Sequence, residues 1–310
     1  MKNNPLQQET PSRRGFVKMG VAGTTATIAI SSSTKVAAAD DKVDVWVLHG
    51  TDNRKLMQKA MDIIQKNGWF GKDAKTVALK VNAAWSRTPE EGANTHPDLV
   101  DVFIEGAKKG GVEEILIPEH PCNNAKIAFK RSGIGPVAKA HKCKMIDLQK
   151  KQKSFREVKI PEGRKLKSAE VAGEFLDADA VVNMPVAKHH SGATLTMAMK
   201  NWMGAIKDRR VWHRTDLHQC IADFSSFMKP AWTIIDATRC MMDSGPQGPA
   251  KELKVPNLLI VSKDQVAADA YASSIFHDSP YAVKYLKHAE EMGIGVVDQA
   301  RMNIHKIDVV

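Results

Sequence analysis

ADAVVNMPVAKHHSGATLTMAMKNWMGAIKDRR, residues 178–210, is the stretch on which both the fold and the candidate site turn. Ala180 to Met184 is a short, β-branched apolar run and reads as a buried strand. Pro185 ends it, because proline has no N–H for a sheet ladder. The loop that follows carries Lys188, His189, His190, Ser191 and Gly192. A helix is expected from Leu195 to Met203, delivering Lys200, Asn201 and Gly204. Cationic and polar groups thus crowd the carboxyl end of a buried strand, the edge on which open α/β sheets hold ligands. The plainer alternative is a solvated basic loop.

Working outward, strand and helix patterns alternate from Val43 on. VDVWVLHG (43–50), KTVALKVN (75–82), EEILIPEH (113–120), CKMIDL (143–148), TIIDA (233–237) and NLLIVS (257–262) read as strands. Helices are expected over 54–66, 97–109, 125–131, 212–228, 265–276 and 280–292, with Pro97 at a favourable first-turn position. The basic stretch 149–167 reads as an excursion or small hairpin, and HKIDVV (305–310) as an edge strand. This alternation predicts an α/β fold, a mostly parallel sheet with helices on both faces.

In such a sheet the polar residues just past the strands gather on one edge. They are His49, Lys80 with Asn82, Glu119-His120-Pro121-Cys122, Lys188 with His190, and Asp236 with Arg239. Lys80 lies inside an apolar strand, on the same face as Asn82. An unpaired buried ammonium is costly, so Lys80 either contacts an anion or carbonyl of a ligand, or pairs with Asp236. Lys188 and Lys200 raise the same question. Three converging lysines repel one another unless something negative sits between them, so the pocket expected here binds an anionic small molecule through Lys80, Asn82, Lys188, His190, Lys200, Asn201 and Asp236. Gly245 and Gly248, in the loop Asp243-Ser244-Gly245-Pro246-Gln247-Gly248-Pro249, are candidates to lend backbone amides to that ligand. The loop lacks dinucleotide or Walker spacing, and a plain structural turn is the alternative. His120 and Cys122 flank Pro121 and are candidate metal ligands. Cys122, Cys143, Cys220 and Cys240 form no Cys-x-x-Cys pair, and a four-cysteine iron–sulfur cluster would need them to converge in the fold. Most are expected to be free or held by a ligand. No Gly-x-Ser-x-Gly elbow and no His-Glu-x-x-His helix occur, which leaves hydrolase and zincin readings without support.

The run NMPVAKHHSGATLTMAMKNWMGAIKDRR resembles the signature of the bacterial and archaeal family called domain of unknown function 362. Its Pro-x-x-Lys-x-His turn and Thr-leading, Lys-Asn-x-x-Gly helix correspond to Pro185, Lys188, His190, Thr194, Lys200, Asn201 and Gly204. VALKVN (77–82), THPDLV (95–100), TIIDATRCMMDSGPQGP (233–249) and VSKDQVAADAYAS (261–273) agree in order, so the resemblance spans nearly all of the chain after residue 40. It implies a site shared by the Asp236 strand and the Gly-Pro loop without naming its ligand. Some members carry an added ferredoxin-like segment with clustered cysteines, which this sequence lacks.

Residues 1–39 read as an address rather than structure, and 40–310 as the family's α/β domain. SRRGFVK (12–18), with Arg13 and Arg14, matches the twin-arginine export pattern; a weakly apolar run from Met19 to Ile30 and Ala37-Ala38-Ala39 follow it. A basic disordered tail is the alternative. The pattern implies the twin-arginine (Tat) translocase as partner and a periplasmic, exported protein with no stable membrane span. That route exports folded proteins and is often used where a cofactor is loaded first. Of the net charge of +10, five Lys/Arg and one Glu belong to residues 1–39, leaving +6 beyond them. A moderate, dispersed basic charge with few aromatics suits an acidic small molecule and argues against nucleic acid. Two functions remain. One is an exported protein holding an anionic ligand or metal-containing cofactor, serving redox chemistry. The other is a non-catalytic periplasmic ligand-binding or cofactor-maturation protein.

Overall fold

The computed structural model describes residues 42–71 and 73–310; Arg13, Arg14 and the rest of the expected leader lie outside the described residues. Eight strands build the central sheet: β1 (Val43–His49), β2 (Thr76–Val81), β3 (Glu114–Glu119), β4 (Lys144–Asp147), β7 (Ala180–Met184), β10 (Trp232–Ala237), β13 (Leu258–Ser262) and β14 (Met302–Asp308). Three two-stranded ribbons decorate it: β5 (Phe155–Lys159) with β6 (Ser168–Ala172), β8 (Lys188–His190) with β9 (Thr194–Thr196), and β11 (Cys240–Met241) with β12 (Leu253–Lys254). The helices are α1 (Asn53–Lys66), α2 (Pro97–Lys109), α3 (Ala125–Arg131), α4 (Ile134–Ala140), α5 (Gly173–Asp177), α6 (Ala198–Asn201), α7 (Arg210–Thr215), α8 (Leu217–Phe227), α9 (Gln265–Ser273) and α10 (Lys284–Glu291).

The sheet order is β14-β1-β13-β10-β7-β2-β3-β4. Every strand is parallel to the others except β13, which runs antiparallel to β1 and β10. The exception has a local cause. Parallel neighbours need a long crossover, usually a helix, and residues 238–257 between β10 and β13 contain no helix. The expected α/β class and mostly parallel sheet are therefore present.

Strand period decides what each layer buries. Val77, Leu79 and Val81 of β2 and Val182 of β7 pack with Leu56, Ile64 and Phe103 of α1 and α2 on one face. Ala78 and Val181 turn to the other face, where Trp202, Phe224 and Val266 cover them. Lys80 shares the face of Ala78, two residues on, and Asn183 shares that of Val181. Both therefore point towards the layer that carries α6. α1 is held at its start by Asp52, whose carboxylate accepts from the N–H groups of Arg54 and Lys55, and buries Leu56, Met57, Ala60, Ile63 and Ile64 at helical spacing.

Four expected elements differ, one of them the helix expected over 280–292, which is a 3₁₀ turn at Pro280–Ala282 followed, after extended Val283, by α10. The helix expected over 195–203 is split into β9, α6 and a 3₁₀ turn at Trp202–Gly204, because Thr194–Thr196 pairs with Lys188–His190 as a hairpin. The helix expected over 212–228 breaks at Asp216, which adopts extended backbone and caps α8 through Gln219 N–H. β4 excludes Cys143 and is only half-buried, since it lies at the sheet edge. The 149–167 excursion leads into the β5–β6 hairpin, and the carboxyl-terminal edge strand is β14, parallel to β1.

Candidate functional site

From β2 the chain moves through β3 to β4 in one direction across the sheet; from β7 it moves through β10 to β13 in the other. The reversal lies between β2 and β7, and a doubly wound sheet opens a crevice at such a point. A cleft of about 280 Å³ lies there, lined by Lys80, Asn82, Trp85, Glu119, His120, Cys122, Lys188, His190, Thr196, Lys200, Asn201, Gly204, Arg209 and His213, with Pro246 at its rim. The three lysines that the sequence marks out thus reach one cavity.

Its two walls are built differently. On the β2–β3 wall, Lys80 is buried and donates to Glu119 Oε2 at 2.9 Å, to Asn201 Oδ1 at 3.2 Å and to the Val81 carbonyl. Glu119 Oε2 also accepts from Ala83 N–H at 3.0 Å. The Asn201 amide donates to the Lys80 carbonyl and to Asn183 Oδ1, and Asn183 in turn donates to the Ala198 carbonyl. Burial lowers the Lys80 pKa, with Glu119 pulling it back up. Gly204 closes this wall so tightly that a Cβ there would stand 2.1 Å from Glu119 Oε1 and 2.7 Å from Lys80 Nζ.

The opposite wall is short of acceptors. Lys188, fully buried, donates to the Ala93 carbonyl and lies 5.9 Å from the Trp85 ring centre. Burial first, then the ammoniums of Lys200 and Lys80, pushes its pKa down to about 7, against the opposing pull of Cys122 and Glu119. Lys200 is 8% exposed. Its ammonium has no hydrogen-bond or ion-pair partner among the described residues. Burial lowers it to about 8, with Arg209 and Lys80 acting in the same sense and Cys122 against. His190 Nδ1 accepts from the N–H groups of Gly192 and Ala193, which leaves a neutral ring with its proton on Nε2. Burial, Lys200 and Lys188 push this ring down to about 2, so it stays neutral. The side-chain oxygens of Asn82 and Thr196 are buried without partners. At the mouth, Arg209 donates to Cys122 Sγ at 3.1 Å and to the Pro121 carbonyl at 2.9 Å. His120 Nδ1 faces the Ile206 carbonyl at 2.8 Å and is therefore the protonated nitrogen, leaving Nε2 with its lone pair.

Several expected site residues fall elsewhere. Asp236 does not pair with Lys80: its carboxylate accepts from His96 N–H at 2.8 Å and from the N–H and hydroxyl of Thr238, tying β10 to the start of α2. Glu119 takes its place. Gly245 and Gly248 offer no amide to the cleft. Gly245 N–H donates to His189 Nδ1 and Gly248 N–H to the Ser244 carbonyl, and a Cβ on Gly245 would meet the His189 carbonyl oxygen at 1.8 Å. His120 and Cys122 both line the cleft, but among the described residues no third His, Cys, Asp or Glu joins them at metal-binding spacing. The cluster with that spacing is Asp101, Glu105 and His141, none of which lines the cleft, and Arg54 already bridges its carboxylates. The four cysteines are unpaired, Cys220 and Cys240 buried and Cys143 half-buried on separate elements. His49 is exposed and bonded to Asp308.

Arg209, His213, Thr196 and Trp85 belong to the cleft and were missed by sequence reasoning. Arg209 is the last but one residue of the very stretch that defines the site, but an arginine in a polar run carries no sign that it folds back over Cys122. Asp269 was also missed: its two carboxylate oxygens accept from Ala198 N–H at 2.7 Å and Met199 N–H at 3.0 Å, pinning the turn that presents Lys200 and Asn201. A larger hollow of about 460 Å³, lined by Trp46, Lys263 and Asp264, lies at the amino ends of the strands. The Asp264 carboxylate there is spent on the N–H groups of Val266, Ala267 and Val296.

Fold and site together define a doubly wound α/β protein with a cationic cleft at its topological switch point. The chain belongs to the family described as Domain of unknown function (DUF362), which matches residues 77–274. It is 22% identical, over 241 residues, to a thylakoid-associated protein of Synechocystis sp., covering 73% of this chain and 71% of that one. Among solved structures it is similar to the lactate racemase apoprotein from Thermoanaerobacterium thermosaccharolyticum, at 14% identity and a TM-score of 0.47 over 76% of this chain and 58% of that one. A protein from Thermotoga maritima gives 10% identity and a TM-score of 0.40, over 79% and 59%. This chain spans less than three fifths of the length of those two structures. No helix among the described residues is long and apolar enough to cross a membrane.

Proposed function

We propose that the cleft binds a small anion, a carboxylate or phosphate compound, in a protein exported through the twin-arginine route to the periplasm. The observation that carries the binding reading is Lys200, a buried residue whose ammonium lines the cleft with no acceptor among the described residues, beside Lys80, Lys188 and Arg209. Glu119 is the one carboxylate lining the cleft among the described residues, and Lys80 with Ala83 N–H already engages it. Burying excess positive charge is costly, and a bound anion removes that cost. The unpartnered oxygens of Asn82 and Thr196 and the Nε2–H of His190 add neutral polar groups that fix a ligand's orientation. A metal-containing cofactor is less favoured, because His120 and Cys122 lack a third ligand among the described residues.

Thermal unfolding of the mature protein with inorganic phosphate, citrate and pyruvate tests this. At a ligand concentration of about 100 times Kd, binding stabilises by about 2.7 kcal/mol, and Lys200→Met is expected to abolish the shift. Absence of any shift in the native protein across this panel overturns the reading. Export is tested separately: changing Arg13 and Arg14 together to Lys is expected to leave uncleaved precursor in the cytoplasm. Normal processing of that variant overturns the twin-arginine assignment.

A further inference from the structure

We infer that Lys200 is a covalent amine centre that captures the carbonyl carbon of a small 2-oxo acid as a Schiff base. This deepens the anion-binding reading and rests on it.

Of the three cleft lysines, the structure leaves one amine uncommitted. Lys80 donates to three acceptors, including a carboxylate, so its nitrogen is fully engaged within the protein. Lys188 donates a hydrogen bond to the Ala93 carbonyl and lies against Trp85. Lys200 lines the same cleft with neither carboxylate nor carbonyl on its nitrogen. Its backbone is nonetheless fixed on both sides: Asp269 holds the N–H groups of Ala198 and Met199, and the Asn201 side chain is tied to Lys80 and Asn183. A rigidly presented amine with no partner is what nucleophilic attack requires.

The surroundings favour the free base. Burial, together with the nearby charges of Arg209 and Lys80, brings Lys200 down to about 8, so its neutral fraction near neutral pH, though the minor one, is far larger than that of an ordinary lysine. Desolvation and neighbouring cations are the general means by which a lysine is made nucleophilic.

The same cations select the substrate class. A 2-oxo acid carries its carboxylate one bond from the electrophilic carbon, so the guanidinium of Arg209 supplies charge for the anion and the Lys188 amine a hydrogen-bond donor while Lys200 reaches the carbonyl. The amine lone pair forms the N–C bond, and the carbonyl oxygen becomes an alkoxide, which the neutral His190 stabilises by a hydrogen bond from its Nε2–H. The nitrogen then loses its extra proton, for which the free Nε2 of His120 is an acceptor in the cleft. The His120 imidazolium returns that proton to the alkoxide, giving the neutral carbinolamine, and a second proton taken up from solvent converts the hydroxyl to water, which leaves as the nitrogen lone pair forms the protonated imine. No oxidant or reductant is consumed.

Trapping tests this directly. The mature protein is incubated with pyruvate and sodium cyanoborohydride near neutral pH, then measured by intact mass and peptide mapping. One saturable reduced adduct per chain, located on Lys200, is expected. Lys200→Met should lose it, whereas Lys207→Met, which removes a surface lysine paired with Glu170, should keep it. Because mapping on the native chain locates the adduct by itself, a poorly folding variant does not blur the result. Adducts spread over surface lysines with no excess at Lys200 overturn the inference. If pyruvate and phosphate both raise the melting temperature but no adduct forms on Lys200, the amine serves only as an ammonium: the inference fails and the anion reading stands. If neither raises it and no adduct forms, both fail.

Discussion

The two walls of the cleft carry the same residue type to opposite ends. Lys80 on the β2–β3 wall is satisfied by Glu119, Asn201 and the Val81 carbonyl, whereas Lys200, buried as a residue but less completely, has no acceptor among the described residues. A buried lysine is therefore informative only together with its partners. Complete pairing marks a load on the architecture; a missing partner marks a place kept for something from outside.

The contrast is broken most strongly on the paired wall. Lys80→Met leaves Glu119 buried beside a thioether and is expected to cost about 3–5 kcal/mol, read from urea unfolding. A loss under 1 kcal/mol would mean the ion pair contributes nothing to the fold. Gly204→Ala comes next: its methyl must displace Glu119 Oε1 or Lys80 Nζ from contacts of 2.1 and 2.7 Å, and overpacking of this kind costs about 1–3 kcal/mol. Lys200→Met should act in the opposite direction in ligand-free protein, neutral or stabilising by about 1 kcal/mol, because it deletes a buried charge without orphaning a partner.

The smallest effect is a pH dependence that sharpens the comparison. Lys200 has a folded pKa of about 8 against an ordinary 10.5. Between those values the unfolded chain binds more protons than the folded one, so stability rises with pH. Below about 8 both states are protonated and the cost of burying the charge is complete. The stability advantage of Lys200→Met over the native protein should therefore be greatest below pH 8 and shrink towards pH 10.5. Melting curves of the two proteins across that range check it, and a gap that widens with pH would contradict the burial of an unpaired ammonium.

Much of the fold was legible because its signals are local. The apolar runs of β2, β7 and β10, buried on both faces, needed no knowledge of neighbours to read as strands of a parallel sheet. The site was legible in part for a related reason: a lysine inside VALKV, and others just past a buried strand, are anomalies in a single chain segment. Local signals misled where a long-range contact outweighed them. Thr194–Thr196 sits in a helix-like run but pairs with Lys188–His190, and Asp216 interrupts another such run as a cap. The glycines of 245–248 promised free amides, yet His189 and Ser244 consume them.

The sequence by itself determined that this chain forms an α/β sheet, that lysines stand at its strand ends, and that an export-like pattern precedes it. Tertiary structure alone decided which acid answers Lys80. Asp236 and Glu119 are equivalent candidates along the chain, but the sheet order seats β3 next to β2 and places β10 beyond β7. At about 4.8 Å per strand spacing, Glu119 lies one strand away and Asp236 two. The same ordering left Lys200 without a carboxylate, because strand order follows from how whole layers pack, and no single segment encodes it.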